Sequence, residues 1–109
     1  MEEFAVIKRA QAGDMIAFEE IVRNYEERVL MIAIKIAKNE QDAEDIAQNV
    51  FITIFRKINT FGFKSSFYSW LYRITMNTAF NHIKTRKYDD FLTNENDDEK
   101  NYAVSEDNS

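Results

Sequence analysis

The stretch from Asp14 to Lys38, DMIAFEEIVRNYEERVLMIAIKIAK, decides the fold. Its apolar residues recur every three to four positions, which is the period of an α-helix. One apolar face comprises Phe18, Ile21, Val22, Tyr25, Val29, Ile32, Ala33 and Ile36, and a second comprises Leu30, Ile34 and Ala37. Because a helix with two apolar faces needs neighbours on both flanks, we expect this helix in the middle of a bundle.

A short helix is predicted before the central one and a longer helix after it. The short helix covers about Glu3–Ala12 and ends at Gly13, and Asp14 then caps the central helix. The longer helix runs from about Gln41 to Asn59 behind an Asn39 cap. Its predicted buried stripe comprises Ala43, Ile46, Ala47, Val50, Phe51, Ile54, Phe55 and Ile58.

A fourth helix is predicted from a Ser66 cap to about Lys87, after a loop at Thr60–Ser65. The segment Tyr88–Ser109 is rich in Asn, Asp, Glu and Ser and too poor in apolar residues to bury a core of its own. The chain has no proline and two glycines, which argues against hairpins. We therefore predict an all-α, compact four-helix domain over residues 1–87, with a short first helix, and a disordered acidic tail or linker over 88–109.

Charge is segregated along the 109 residues. The whole chain carries a formal net charge of −5, which by itself argues against a nucleic-acid partner. The segment Arg56–Lys87, however, holds 7 basic and no acidic residues, whereas Tyr88–Ser109 holds 1 basic and 8 acidic residues. Since salt screens charges beyond about 10 Å, a local block of positive charge can attract a polyanion whatever the rest of the chain carries.

Several classes of site and location are excluded or disfavoured. There is no cysteine, and His82 is the single histidine, so we predict no metal and no cofactor. The longest apolar stretch, Val29–Ala37, is far shorter than the roughly 20 residues that span a bilayer, so no membrane insertion is expected. Glu2 and Glu3 stand where a secretory signal would carry basic residues, which predicts a cytoplasmic protein.

One face of the fourth helix has the composition of a nucleic-acid reader. Arg73, Asn77, Asn81 and Lys84 follow one another at spacings of four, four and three, with Trp70 at the top of the same face. Cations attract phosphates, asparagine side chains can pair with base edges, and aromatic rings stack on unpaired bases. The residues Phe67, Leu71, Ile74 and Thr78 are predicted to face the bundle.

The aromatic residues around this helix have a second interpretation as core. Phe67, Trp70 and Tyr72 at helical spacing are more typical of a buried stripe than of a platform for bases. Phe61 and Phe63 flank Gly62 in the loop, and the pattern leaves open whether each ring is core or faces DNA.

Two motifs carry a resemblance to a known family. The run Phe67–Ala79, FYSWLYRITMNTA, preceded by Asp42–Phe51, DAEDIAQNVF, resembles region 2 of the extracytoplasmic-function (ECF) sigma factors of bacterial RNA polymerase. The resemblance covers about Asp14 to Lys87 in order.

The resemblance implies two partners. In this family the third helix binds the clamp coiled coil in the largest subunit of core RNA polymerase, which implies polymerase contacts at Asp45, Gln48, Asn49 and Ile52. The loop before the last helix helps to enclose a flipped base of the nontemplate strand of promoter DNA, with an asparagine at the position of Asn77 in the same pocket. The predicted DNA-binding residues are Phe61, Phe63, Lys64, Ser65, Arg73, Asn77, Asn81 and Lys84. An anti-sigma factor is a further possible partner.

The chain departs from the family pattern at three places. Asn49 stands where relatives usually have Glu, and Gly62-Phe63-Lys64 stands where relatives often have Arg, Gly and Asp or Asn. A complete sigma factor of this group also has a second helical domain that grips duplex DNA, reached through an acidic linker that Tyr88–Ser109 resembles. We expect this chain to be part of a longer sigma factor, although a natural lone domain is an alternative.

The predicted function is therefore non-enzymatic: a sigma factor domain that binds polymerase and melts the promoter element just upstream of the transcription start. The alternative is a helical interaction module or decoy that binds polymerase or an anti-sigma factor without opening DNA. A duplex-binding helix-turn-helix regulator is disfavoured because the last helix is long and no short helix pair with a three- or four-residue turn is present. An enzyme is disfavoured because no acid, base or nucleophile constellation is found.

Overall fold

Four helices in sequence order make up the structure, a computed structural model that describes residues 2–95, with side chains described to residue 92. They are α1 (Glu3–Gln11), α2 (Met15–Ala37), α3 (Glu40–Lys57) and α4 (Phe67–Glu95), with a 3-10 turn at Ile58–Thr60. All regular structure within the described range is helical, which confirms the all-α, four-helix prediction. No helix in this range is both long enough and apolar enough to cross a bilayer.

The starts of the three longer helices are fixed by the polar caps that the sequence predicted. The Asp14 carboxylate accepts hydrogen bonds from the N–H groups of Ile16 and Ala17 at 3.0 and 3.2 Å. Asn39 accepts from the Asp42 N–H at 2.8 Å, and Ser66 accepts from the Ser69 N–H at 3.0 Å. Each cap satisfies an N–H group that has no partner inside the first turn of its helix.

Helix α2 is central, as its two apolar faces predicted, because it contacts each of the other three helices. Small side chains on three helices are completely buried and let the backbones approach, among them Ala33 of α2, Ala43 of α3 and Ala79 of α4. Larger core residues are also fully buried, namely Ile21, Val29, Ile46, Val50, Ile54 and Leu71. The core therefore lies between α2, α3 and the first half of α4, with α1 covering one end.

An aromatic and ionic cluster joins α1, α2 and α4. The Tyr25 hydroxyl donates to Glu3 Oε1 of α1 at 2.6 Å, and the Tyr25 ring lies 5.5 Å from the Phe67 ring of α4. Burial and the nearby Glu3 carboxylate together raise the pKa of Tyr25 to about 12. The Arg28 guanidinium lies over the rings of Tyr25 and Tyr68, at 4.5 and 5.3 Å from their centroids. This cluster fixes the start of α4 against α2.

Helix α4 is longer than the sequence predicted. We expected its end near Lys87, but the helix continues to Glu95, which makes it about 43 Å long at 1.5 Å per residue. The first eight residues of the expected tail, 88–95, are therefore helical. The reason is that no proline or glycine follows Ser66, so polar composition alone does not stop the helix. The rest of the predicted tail, 96–109, lies outside the described residues.

Candidate nucleic-acid interface

The α3–α4 loop, residues 61–66, is held at both ends by hydrogen bonds. At its start, the Phe61 N–H donates to the Ile58 carbonyl at 3.1 Å. Gln11 of α1 donates from Nε2 to the carbonyl oxygens of Ile58 and Phe61 at 2.8 and 3.0 Å. At its end, Ser66 caps α4. Residues 62–65 thus project between two fixed points.

Phe61 is part of the core. Its side chain is 5% exposed, and its ring centroid lies 5.3 Å from that of Phe67 and 5.2 Å from that of Trp70. The ring is therefore covered in this structure, and the DNA contact predicted for Phe61 stays a prediction. The ring is buried because the 3-10 turn at Ile58–Thr60 places Phe61 between α1 and α4, where its neighbours are the apolar rings of Phe67 and Trp70.

Phe63 occupies a different position, at the edge of the loop. Its ring is half-buried, with centroids 4.7 Å from Phe61 and 4.9 Å from Phe4 of α1. Its backbone has a φ of 61°, a left-handed conformation that costs a residue with a Cβ about 1–2 kcal/mol. Two aromatic contacts at about 0.5–1.5 kcal/mol each offset that cost. Phe63 is thus held by its ring in a conformation that its backbone disfavours.

The polar stripe of α4 faces solvent as predicted. Arg73, Asn77, Asn81 and Lys84 are all exposed. The deepest residues of the helix lie on the opposite side at strict spacings of four, namely Phe67, Leu71, Thr75 and Ala79. Ile74 and Thr78, which the sequence placed in the bundle, are only half-buried. Among the described side chains, no carboxylate forms an ion pair with Arg73 or Lys84, so both charges are available to a ligand.

The loop and the polar stripe meet at Trp70. This ring contacts Phe61, which starts the loop, and precedes Asn77 by seven residues, about 10 Å along the helix. Lys64 and Ser65 of the loop are exposed. The structure therefore presents a cationic and amide-bearing surface next to a loop with one half-exposed ring. Of the eight residues predicted to bind DNA, Phe61 alone is buried.

An ionic network that the sequence did not predict ties α4 to the start of α3. Asp42 Oδ1 lies 3.2 Å from His82 Nε2 and accepts a hydrogen bond from Arg86, while the Asn39 amide donates to Asp42 Oδ2 at 2.8 Å. These hydrogen bonds, with Asn39 contributing most and His82 next, lower the pKa of the Asp42 carboxyl below its usual value of 3.8. Because the partners are 40 and 44 residues apart, no local pattern could have revealed them. The charge of Arg86 is therefore partly neutralised by Asp42, whereas Arg73 has no such ion pair among the described side chains.

The same network contains the group of side chains nearest to a metal-ligand arrangement within the described residues. Asp42, Asp45 and His82 each offer one ligand atom, and these atoms lie within 4.8 Å of one another. The Asp42 carboxylate already accepts hydrogen bonds from Asn39 and Arg86 and lies 3.2 Å from His82 Nε2, so both of its oxygens have protein partners. The ion pair accounts for the arrangement without a cation.

A second surface is formed by a groove between α2 and α3, with a volume of about 910 Å³. Its floor is apolar and open to solvent, since Met15, Ile52 and Phe55 are 53, 46 and 50% exposed. Phe55 was predicted to be buried, and the structure corrects this. Its ring packs edge-on against Phe18 at 5.2 Å, but none of the described helices covers its outer side, which leaves it 50% exposed. The charged rim consists of Arg23, Glu26, Glu27 and Glu44.

Two of the four residues predicted to bind polymerase line this groove. Gln48 and Ile52 line it, and Asp45 and Asn49 are exposed elsewhere on α3. The family resemblance had implied polymerase contacts on this helix. The structure adds the exposed apolar side chains of Met15 on α2 and of Ile52 and Phe55 on α3. The surface therefore offers apolar area with a polar border, which is the composition typical of a protein-binding site.

The sequence matches a known protein family over the segment that contains most of these features. Residues 21–88 match the family model described as Sigma-70 region 2, which covers more than half of the chain. The matched segment contains both motifs that carried the resemblance, the α3–α4 loop and the polar stripe of α4. Helix α1 lies outside it.

Curated relatives agree with that match. The chain is 40% identical over 81 residues to the RNA polymerase sigma-H factor of Pseudomonas aeruginosa, 36% over 86 residues to the ECF sigma factor SigW of Bacillus subtilis, and 36% over 78 residues to the ECF sigma-E factor of Escherichia coli K12. These alignments cover 74, 79 and 72% of this chain but only 42, 46 and 40% of the relatives. The chain thus spans less than half the length of these relatives.

A solved structure shows the same fold. An NMR structure of an engineered region 2 of sigmaE in complex with GTAAAA superposes with a TM-score of 0.75 and 30% sequence identity. The superposition covers 80% of this chain and 90% of that one.

Proposed function

This chain belongs to the Sigma-70 region 2 family, and on that premise we propose that it binds core RNA polymerase and opens promoter DNA by capturing unpaired bases of the nontemplate strand. The observation that carries the proposal is the exposed stripe of Arg73, Asn77, Asn81 and Lys84 beside the α3–α4 loop. Stacking, amide pairing and phosphate contacts are then available within one surface. Sigma factors are transcription initiation factors, and no enzymatic step enters the proposal.

Capture of bases would open the duplex by binding free energy alone, without ATP hydrolysis. Unstacking and unpairing a base costs a few kcal/mol, and contacts that only the extruded base can make offset that cost. We propose that Asn77 lines the base pocket together with residues 63–65 of the loop, and that Asn81, Lys84 and Arg73 contact neighbouring bases and phosphates. The sigmaE region 2 that this chain resembles is described in complex with GTAAAA, which supports a nucleic-acid ligand here.

The groove between α2 and α3 is the proposed polymerase site. Its exposed apolar floor and charged rim suit a helical partner, and the family resemblance points to the clamp coiled coil of the largest subunit. Gln48 and Ile52 would contact this partner inside the groove, and Asp45 and Asn49 would contact it from the exposed part of α3 outside the groove. An anti-sigma factor could occupy the same surface in competition. The cytoplasmic location predicted from the sequence follows from the polymerase partner and stays a prediction.

Binding of a labelled nontemplate-strand oligonucleotide in the presence of core polymerase tests the DNA part of this proposal. We expect Asn77→Ala to weaken binding by about tenfold, since a side-chain amide paired with a base edge contributes about 1–3 kcal/mol. Gln41→Ala, which removes an exposed amide at the start of α3, is the matched control and should bind as the unchanged chain does. Unaltered binding by Asn77→Ala would remove the pocket from the mechanism. Polymerase binding with no oligonucleotide binding by the unchanged chain would favour the alternative function of an interaction module.

A further inference from the structure

Helix α1 lies outside the matched segment 21–88, yet it contacts the α3–α4 loop through three side chains. Gln11 hydrogen-bonds two backbone carbonyls at the start of the loop. The Phe4 ring packs against Phe63 at 4.9 Å. The Lys8 ammonium lies over both rings, 5.8 Å from the centroid of Phe4 and 5.3 Å from that of Phe63.

Gln11 determines where the loop begins. Both of its partners are carbonyl oxygens, so the amide nitrogen must be the atom that faces them, and its two N–H groups are both used. The Phe61 carbonyl directly precedes Gly62 and Phe63. Fixing this carbonyl therefore fixes the direction in which the exposed part of the loop leaves the core.

Phe63 shows that the loop conformation depends on α1. Its φ of 61° would be free of strain for glycine but is disfavoured for phenylalanine. The contacts that compensate come from Phe61 in the loop and from Phe4 and Lys8 in α1. Without α1, two of these three contacts would be absent, and the loop would relax towards another conformation.

Lys8 differs from the neighbouring cation of the same helix. Arg9 is paired with Asp14 at 3.3 Å and with Glu20 at 3.7 Å, so its charge is neutralised within the protein. Lys8 is exposed and, among the described side chains, forms no ion pair. Aromatic faces orient its ammonium without neutralising it. A nucleotide bound at Phe63 would carry its phosphate one sugar away, within reach of a flexible lysine side chain.

We propose that α1 is part of the single-stranded DNA site, with Lys8 as a phosphate-binding residue and Gln11 as the positioning residue of the α3–α4 loop. The inference rests on the proposed function, because it assigns α1 to the same ligand. It adds a role for a helix that the family match does not include.

The Lys8 part is tested by the salt dependence of binding to a labelled 12-nucleotide single strand of mixed sequence, with the full chain and core polymerase present. Each phosphate contact contributes about 0.7 to the slope of log K against log salt for single strands. Lys8→Gln should therefore reduce the slope by about 0.7 and lower the affinity about fourfold at 0.15 M salt. Arg9→Gln removes the same formal charge from the next residue and should leave the slope unchanged. An unchanged slope for Lys8→Gln, or an equal reduction for Arg9→Gln, would overturn the assignment of Lys8.

The Gln11 part is tested by base discrimination. Gln11→Met keeps the length of the side chain and removes both donors, so the variant is first shown by thermal unfolding to be folded at the assay temperature. Across four oligonucleotides that differ at the captured base, discrimination of about fivefold or more in the unchanged chain should fall to about twofold or less. The salt slope should stay the same, because no phosphate contact is lost. Retained discrimination in a folded Gln11→Met chain would overturn the positioning role.

These outcomes are separable from a failure of the proposed function itself. If Asn77→Ala weakens binding while Lys8→Gln and Gln11→Met change nothing, the DNA site is correct and α1 is only structural. If Asn77→Ala also has no effect, the site lies elsewhere on the molecule and the inference fails with it.

Discussion

Replacing Phe61 with alanine should destabilise the whole domain, because its ring is part of the core. The ring is 5% exposed and lies 4.7 to 5.3 Å from the rings of Phe63, Phe67 and Trp70. Truncation of a buried phenylalanine to alanine costs about 3–5 kcal/mol, because the transfer free energy is lost and a cavity remains. A domain of this size is stable by only about 5–10 kcal/mol in total. We therefore expect Phe61→Ala to lose about half of its free energy of unfolding.

Phe61→Leu separates the role of the ring in the core from any role in binding DNA. Leucine keeps most of the apolar volume but loses the aromatic contacts, so this variant should lose only about 1–2 kcal/mol and stay folded. Since the ring is covered by other side chains, oligonucleotide binding by the folded Phe61→Leu chain should equal that of the unchanged chain.

Urea unfolding followed by tryptophan fluorescence measures the stability change directly. Trp70 is the only tryptophan of the chain and contacts Phe61, so its emission reports on the same cluster. With a slope near 1 kcal/mol per molar urea, the midpoint should move by about 3 M or more for alanine and by about 1–2 M for leucine. A Phe61→Leu chain with the original midpoint and much weaker oligonucleotide binding would refute the burial argument and return the ring to the DNA surface.

Three further predictions concern the polymerase groove and the titrating groups. Ile52→Glu should change the free energy of unfolding by no more than about 0.5 kcal/mol, as other surface substitutions do, and should weaken polymerase binding in a pull-down titration by about tenfold or more. Ile16→Glu is the control that should bind normally, because Ile16 lies on α2 outside the groove and is 70% exposed. The lowered pKa of Asp42 means that the native state binds fewer protons than the unfolded state, so the free energy of unfolding should fall as the pH decreases below about 4. Asp42→Asn should reduce this decline but not abolish it, because the pKa of Asp14 is lowered too. An unchanged acid profile in Asp42→Asn would contradict the network. The pKa of Tyr25, raised to about 12, means that the native state retains a proton that the unfolded state releases near 10, so the unfolding free energy should fall between pH 10 and 12 and this alkaline loss should be absent in Tyr25→Phe.

The helices and their starts could be predicted from the sequence because the interactions that set them are local. Asp14, Asn39 and Ser66 each cap a helix by accepting a hydrogen bond from an N–H group two or three residues ahead. The 3.6-residue period likewise identified α2 as the central helix. The end of α4 was missed because polar residues continue a helix when no proline or glycine stops it.

The accessibility of the polar stripe on α4 also followed from local periodicity. Once Phe67 and Leu71 face the core, a residue such as Asn77 must lie on the other side of the helix. The depth of the rings in the loop did not follow in this way. Phe61 and Phe63 have the same chemistry and are two residues apart, but their burial depends on where α1 and α4 approach each other.

Tertiary structure alone decided which distant side chains meet. Asp42 and His82 are 40 residues apart, and Gln11 and Phe61 are 50 residues apart, so their contacts depend on how three rigid helices pack. Phe55 is exposed although it continues an apolar stripe, because none of the described helices lies over that side of α3. The helical period of the sequence specifies the direction in which each side chain points. The residue that it contacts in that direction is specified by the packing of helices that are far apart in the sequence.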